Sequence, residues 1–96
     1  MTADPQYAHL TPLLEQYAAL EDGDPRRERL REQLVTGYLP VAQHIARRFN
    51  HRGEPLDGLV EVATVGLINA IDRFDPEKGG EFFSFAVPTI SGEVRR

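Results

Sequence analysis

The fold is decided by the segment DGLVEVATVGLINAIDRF, which occupies positions 57–74. When its residues are placed at about 100° per residue, the apolar ones gather on one broad side, as in a helix packed against a core. Small residues recur on that side, and they let a neighbouring helix approach closely. The segment therefore predicts a central helix whose core-facing set is Leu59, Val60, Ala63, Gly66, Leu67, Ala70, Ile71 and Phe74.

Two shorter helices are predicted towards the ends of the chain. Thr11 is expected to be the N-cap and Pro12 the first residue of a helix that stops before position 21. A last helix is expected to begin around Ser84, with Pro88 near its first turn, where a missing backbone N–H costs least. Residues 1–9 lack periodicity, so a loosely ordered N-terminus is expected there.

A longer helix is predicted between these two. Asp24 and Pro25 give a start signal, and the apolar stripe that follows continues to Phe49. Gly37 and Pro40 interrupt the stripe, so a kink or a short break is expected near them. No segment alternates with period two for long enough to form a strand. The sequence predicts an all-α fold, a small bundle of about four helices.

Composition limits the classes of function. The chain of 96 residues carries a net charge of −4 and no cysteine, which excludes disulfides, thiolate metal sites and a cysteine nucleophile. No apolar run is long enough to cross a bilayer, and the first residues carry no secretion signal, so we expect a cytoplasmic protein. A domain that grips nucleic acid through phosphates usually has a basic excess, which this chain lacks.

The sequence contains no catalytic or metal-binding constellation. The acids between positions 72 and 81 lack the spacing of a calcium loop, and Pro76 falls among them. The histidines form no pair at ligand spacing, and nucleophile and phosphate-loop motifs are missing. We therefore expect a protein that is not an enzyme and that uses neither a metal nor a cofactor.

The side of the central helix opposite to the core mixes acids with apolar residues. An apolar anchor with a charged rim indicates a partner surface. The alternative is a solvated face with two tolerated apolar residues, since isolated exposed apolar side chains are common. The residues in line on this side are Asp57, Glu61, Thr64, Ile68 and Asp72, with Val65 beside them.

Aromatic and basic residues near the end of the chain are candidate nucleic-acid contacts. Phe82, Phe83 and Phe85 lie close together in the sequence, and clustered aromatic rings can stack on unpaired bases. We expect Phe82 and Phe85 to pack on the core, which leaves Phe83 outside. Arg95 and Arg96 would add positive charge to such a contact.

Several longer runs of sequence carry a resemblance to a known family. They are RGEPLD at 52–57 with LV at 59–60, VGLINAIDRFDP at 65–76, FAVPTI at 85–90 and ISGEV at 90–94. Together they resemble region two of a bacterial sigma factor, and more narrowly the general-stress and sporulation group of Gram-positive bacteria, especially the actinobacterial type. The resemblance extends without a gap over about residues 12–96. It implies a sigma region-two domain at 10–96, following the loosely ordered residues 1–9.

The resemblance implies a role in transcription initiation. A sigma factor is the dissociable specificity subunit of RNA polymerase, and its central helix docks on the clamp helices of the beta-prime subunit. Gly58 here replaces an acid of the family's core-binding motif and Glu61 replaces a glutamine, so a weaker affinity for the polymerase core is expected. The polymerase-binding set that follows is Asp57, Gly58, Leu59, Val60, Glu61, Thr64, Val65, Ile68 and Asp72.

The resemblance also implies other partners. Members of this group are commonly held inactive by an anti-sigma factor that covers the polymerase-docking surfaces. In the family the next segment melts promoter DNA, so we expect this domain to stop before it and to meet promoter DNA only through segments that the chain lacks. A stand-alone helix-turn-helix module is the alternative function. It needs a recognition helix rich in basic and amide residues, whereas the central helix directs acids outward.

Overall fold

A computed structural model describes residues 5–50, 53 and 55–96 of the chain. Within these ranges the chain forms four α-helices and no strand, which confirms the predicted all-α fold. A 3-10 helix at Pro5–Leu10 precedes the first α-helix, and another at Pro76–Lys78 lies between the last two. The α-helices are α1 at Thr11–Ala19, α2 at Pro25–Arg48, α3 at Leu56–Arg73 and α4 at Phe82–Arg95.

The central element is α3, because α2 and α4 both pack extensively against it and touch each other much less. Its apolar side is buried in the core, as the periodicity predicts. Val60 and Phe74 are partly buried and pack against the core from its edge. The fully buried residues of α3 are Leu59, Ala63, Gly66, Leu67, Ala70 and Ile71.

A close approach between α3 and α4 occurs at Gly66. A Cβ atom built on this glycine would lie 2.9 Å from the Cα atom of Ile90 and 3.2 Å from the Cγ atom of Glu93. Protein interiors are close-packed, so a methyl group there would displace the backbone of α4. The prediction that small residues of α3 let a neighbouring helix approach closely is thus confirmed at Gly66.

The long helix α2 continues through the positions at which a kink or break was expected. Pro40 is exposed inside it and removes one hydrogen bond without ending the helix. Gly37 has a packing role, because a Cβ atom there would lie 2.7 Å from the Cδ1 atom of Leu10. The expectation of a short break is wrong because core residues on both sides of Pro40 hold the helix together. These residues are Leu30, Leu34, Tyr38, Ala42, Ile45 and Ala46.

The start of α2 is capped as predicted. The side chain of Asp24 accepts a hydrogen bond from the backbone N–H of Arg26 at 2.9 Å. The Arg26 guanidinium also donates to both carboxylate oxygens. These hydrogen bonds from Arg26 lower the pKa of Asp24 to about 2.

The start of α1 differs from the prediction. Thr11 is the first residue of the helix and not its N-cap, because α1 continues directly from the 3-10 helix Pro5–Leu10. Within that 3-10 helix the Tyr7 ring stacks on the Tyr38 ring, with centroids 5.6 Å apart. Residues 5–9 form most of this 3-10 helix, and residues 1–4 of the predicted loosely ordered segment lie outside the described residues.

The start of α4 also differs from the prediction. The helix begins at Phe82 rather than Ser84, so Pro88 lies in its interior and not in its first turn. The missing N–H of Pro88 leaves the Ser84 carbonyl without its usual helical donor. The buried residues of α4 anchor the helix on both sides of the proline, and they are Phe82, Ala86, Ile90 and Val94.

The contact at Gly66 can be tested with one substitution and a matched control in the same helix. Gly66→Ala is expected to lower the free energy of unfolding by about 1–3 kcal/mol, because the added methyl group overpacks the contact with α4. Gly58→Ala is expected to raise it by about 0.5–1 kcal/mol, since a Cβ atom at Gly58 meets nothing within 4 Å. Urea unfolding followed by circular dichroism measures both. Equal effects of the two substitutions would contradict the close contact.

Burial of Tyr38 predicts a loss of stability at alkaline pH. The residue is 2% exposed, and burial raises the pKa of its phenol to about 12. The neutral, buried phenol of Tyr38 contributes fully to the free energy of unfolding below the unfolded-state pKa of about 10. This contribution is lost as the pH rises from there through the folded-state pKa. The stability of the wild type should fall more steeply over this range than that of Tyr38→Phe, by up to about 1.4 kcal/mol per pH unit. Parallel stability curves in thermal unfolding would contradict this.

Candidate partner-binding face

The exposed side of α3 carries acids and apolar residues next to one another. Val65 is 50% exposed and Val62 is 38% exposed. Asp57 and Glu61 are exposed on the same helix. In the described part of the chain, the other large apolar side chains with comparable exposure are Phe85 and Val87 on α4. We call Asp57, Glu61, Val62 and Val65 the outer face of α3.

The sequence prediction of this face included all of its members except Val62. Val62 lies three positions before Val65, and residues three apart are neighbours on a helix surface. That spacing was the available signal, but Val62 lies nearer to the border of the core side than the other members do. The exposed apolar residues of the outer face are consequently Val62 and Val65, whereas Val65 and Ile68 were predicted.

Other residues of the predicted polymerase-binding set lie beside or beneath the outer face. Leu59 is buried in the core and supports the face from below, and Val60 is partly buried against the core. Thr64 is partly buried, and its hydroxyl donates to the Val60 carbonyl at 2.7 Å. Ile68 is partly buried and Gly58 is exposed. The structure thus places Gly58 at the surface and Leu59 in the core.

Asp72, at the far end of the predicted stripe, is held by the two preceding helices. The Tyr17 hydroxyl of α1 donates to its Oδ1 atom. The Nε atom of Arg31 in α2 donates to the Tyr17 hydroxyl at 3.3 Å and lies 3.5 Å from the same Asp72 oxygen. The hydrogen bond to Tyr17 and the charge of Asp72 raise the pKa of the Arg31 guanidinium. Asp72 therefore joins three helices at the border of the outer face.

A second arginine of α2 reinforces the same junction. The guanidinium of Arg27 lies 3.9 Å from the centroid of the Tyr17 ring, within the range of a cation–π contact. Its NH1 atom donates to the carbonyls of Tyr17 at 2.8 Å and Leu20 at 3.0 Å. These carbonyls lie at the end of α1, where helical partners are missing. Sequence reasoning missed this junction, because it joins residues from three separate helices.

The candidate nucleic-acid aromatics are arranged differently from the prediction. Phe82 is buried as expected. Phe83 was expected to remain outside, and this is wrong, because its ring packs edge-on against Tyr7 at 5.3 Å and Tyr38 at 5.6 Å. Phe85 was expected in the core but is 37% exposed. Phe83 differs from the prediction because the Tyr7 ring of the 3-10 helix Pro5–Leu10 packs against it.

The two terminal arginines are exposed at the end of α4. The guanidinium of Arg95 lies 6.0 Å from the centroid of the Phe49 ring. The NH1 atom of Arg96 lies 3.6 Å from a carboxylate oxygen of Glu93. Their proposed contact with nucleic acid stays a prediction.

Within residues 5–50, 53 and 55–96, no three or more His, Asp or Glu side chains come together as a metal site. No helix in this part of the chain has both the length and the apolar character needed to cross a membrane.

Comparison with known proteins gives a consistent family match. The Sigma-70 region 2 family model matches residues 34–96. RNA polymerase sigma factor SigF of Mycobacterium tuberculosis is 52% identical over 91 residues, which cover 95% of this chain and 35% of that protein. RNA polymerase sigma-F factor of Kitasatospora aureofaciens is 48% identical over 84 residues, covering 88% and 28%. RNA polymerase sigma-G factor of Bacillus subtilis is 42% identical over 76 residues, covering 79% and 28%. The chain spans about a third of the length of these relatives or less.

The coupling of α1 to the border of the outer face can be measured by a double-mutant cycle. Tyr17→Phe and Asp72→Asn are each expected to lower the free energy of unfolding by about 1–2 kcal/mol. The double variant should lose less than the sum, with an interaction energy of about 0.5–3 kcal/mol. Tyr7→Phe combined with Asp72→Asn is the control and should be additive. Additive effects of Tyr17→Phe and Asp72→Asn in urea unfolding would contradict the hydrogen bond.

Proposed function

The chain belongs to the Sigma-70 region 2 family, and from this premise we propose that it supplies the polymerase-docking part of an alternative sigma factor. Sigma factors are transcription initiation factors and not enzymes. In our proposal the outer face of α3 binds the clamp helices of the beta-prime subunit of RNA polymerase, in the cytoplasm. The observation that carries the proposal is the exposure of Val62 and Val65 beside the carboxylates of Asp57 and Glu61.

The chemistry of the outer face fits a helical partner with an apolar ridge and basic edges. Burial of exposed valine side chains stabilises a complex by removing apolar surface from water. The acids at the rim favour a basic partner, and the net charge of −4 favours its approach at low ionic strength. The same acids repel phosphates, so α3 is a poor recognition helix for DNA. This disfavours the alternative of a stand-alone helix-turn-helix module.

The departures from the family pattern support a weaker affinity for the polymerase. Gly58 offers no side chain to a partner, although a Cβ atom there would meet nothing within 4 Å. An acid at this position, as the resemblance implies, would fit without displacing any neighbour. The adjacent Asp57 is exposed and provides a nearby charge.

Regulation by an anti-sigma factor is part of the proposal. An exposed apolar patch flanked by charges is a surface to which a second protein can bind when the main partner is absent. A protein that covers the outer face would block the polymerase by direct competition. Contacts with promoter DNA are proposed for Arg95 and Arg96, which are exposed at the end of α4, and for Phe83, which is partly buried.

The docking proposal is tested by calorimetry with the isolated beta-prime clamp helices. Val65→Glu is expected to weaken binding about tenfold or more, because it places a charge in the apolar centre of the interface. Val87→Glu on α4 is the matched control, since Val87 is 39% exposed and lies outside the outer face. It should bind like the wild type. Equal affinities of the two variants, both shown to be helical by circular dichroism, would contradict docking through the outer face.

A further inference from the structure

A cavity of about 210 Å³ lies between the 3-10 helix Pro5–Leu10, α1, α2 and the start of α4. None of the four residues of the outer face of α3 lines it, so it is separate from the proposed docking surface. Aromatic side chains form a large part of its wall. The aromatic lining residues are Tyr7, Tyr38, Phe74, Phe82 and Phe83.

Among the described residues, the charged side chains that line this cavity are acidic. They are Glu15 of α1 and Glu81, just before α4. Within the described part of the chain, neither carboxylate forms an ion pair or a hydrogen bond through its side chain. Two unpaired carboxylates beside aromatic rings give the cavity a negative potential.

The Tyr38 hydroxyl is a further polar group at the cavity. Tyr38 is 2% exposed, yet among the described residues no hydrogen bond joins its hydroxyl to another group. Buried hydroxyl groups normally have a hydrogen-bond partner. The hydroxyl is not sealed off in the protein interior either, because no fully buried polar side-chain atom of the described residues lacks a partner. Tyr38 is also one of the residues that line the cavity.

We propose that this cavity binds the head group of an organic cation, an alkylammonium or guanidinium group. The faces of aromatic rings attract such cations, and carboxylates beside the rings add to the attraction. An N–H group of the cation would donate to the Tyr38 hydroxyl. The volume is below the range of about 300–1,000 Å³ that is typical of drug-sized ligands, so the cavity accommodates a head group and not a large molecule.

A metal ion fits the same cavity poorly. Calcium and magnesium require about six oxygen ligands, and the mainly apolar wall does not provide them. The head group can belong to a free amine or to a lysine or arginine side chain of another protein. The chemistry is the same in both cases, and the experiment distinguishes the two sources.

The test is a titration followed by the NMR signals of the Tyr7, Tyr38 and Phe83 ring protons. The probes are butylammonium, tetramethylammonium and, as an uncharged molecule of similar size, tert-butanol. The two cations should produce saturable shifts that weaken with added salt, whereas tert-butanol should not. Nα-acetyl-arginine amide tests the second source. Saturation by this probe but not by the free amines assigns the cavity to a protein side chain, and the reverse assigns it to a small amine.

Substitutions separate the cation site from simple apolar filling. Glu15→Gln and Glu81→Gln should each weaken the binding of the bound cation about threefold. Glu77→Gln, which removes an exposed acid outside the cavity, is the matched control and should leave it unchanged. Tyr38→Phe keeps the ring and removes the hydroxyl. It should weaken the binding of butylammonium and leave the binding of tetramethylammonium unchanged, because tetramethylammonium has no N–H group. The proposal is overturned if no cation saturates the ring shifts, if tert-butanol binds as well, or if Glu77→Gln has the same effect as the lining variants.

Discussion

The close packing of α3 against α4 at Gly66 is the constraint on which the rest of the domain depends. Because the Cα atom of Ile90 occupies the space that a methyl group on Gly66 would need, the register that places Gly66 against Ile90 requires a glycine at this position. That register directs the side of α3 that contains Ala63 and Ala70 into the core. By helical geometry, it leaves Val65 on the opposite side in water. The contact that orders the core therefore also creates the outer face.

The helices themselves could be predicted from the sequence because their signals are local. Apolar periodicity and the Asp24 cap lie within a few residues of the features they specify. The errors arose where a distant residue decides the outcome. Core packing on both sides of Pro40 keeps α2 continuous. The Tyr7 ring packs against Tyr38 of α2 and Phe83 of α4, so a residue far away in the sequence makes Phe83 partly buried.

The outer face could be predicted only in part for the same reason. Glu61 and Val65 were identified because the position of a residue on a helix fixes its direction. Asp72 has the correct direction, but its carboxylate binds Tyr17 and Arg31, residues that lie far from it in the sequence. Periodicity assigns a residue to a side of the helix, whereas the competition between a partner and the residue's own neighbours depends on the tertiary fold.

The 3-10 helix Pro5–Leu10 and α1 contribute residues both to the cavity wall and to the border of the outer face of α3. Tyr17 of α1 holds Asp72 at the border of the outer face. Glu15 of the same helix and Tyr7 of the preceding 3-10 helix form part of the cavity wall. Since Glu15 and Tyr17 are fixed on one helix, a displacement of α1 moves the cavity wall and the tether of Asp72 together. The cavity and the proposed docking surface thus share one structural support although they share no residue.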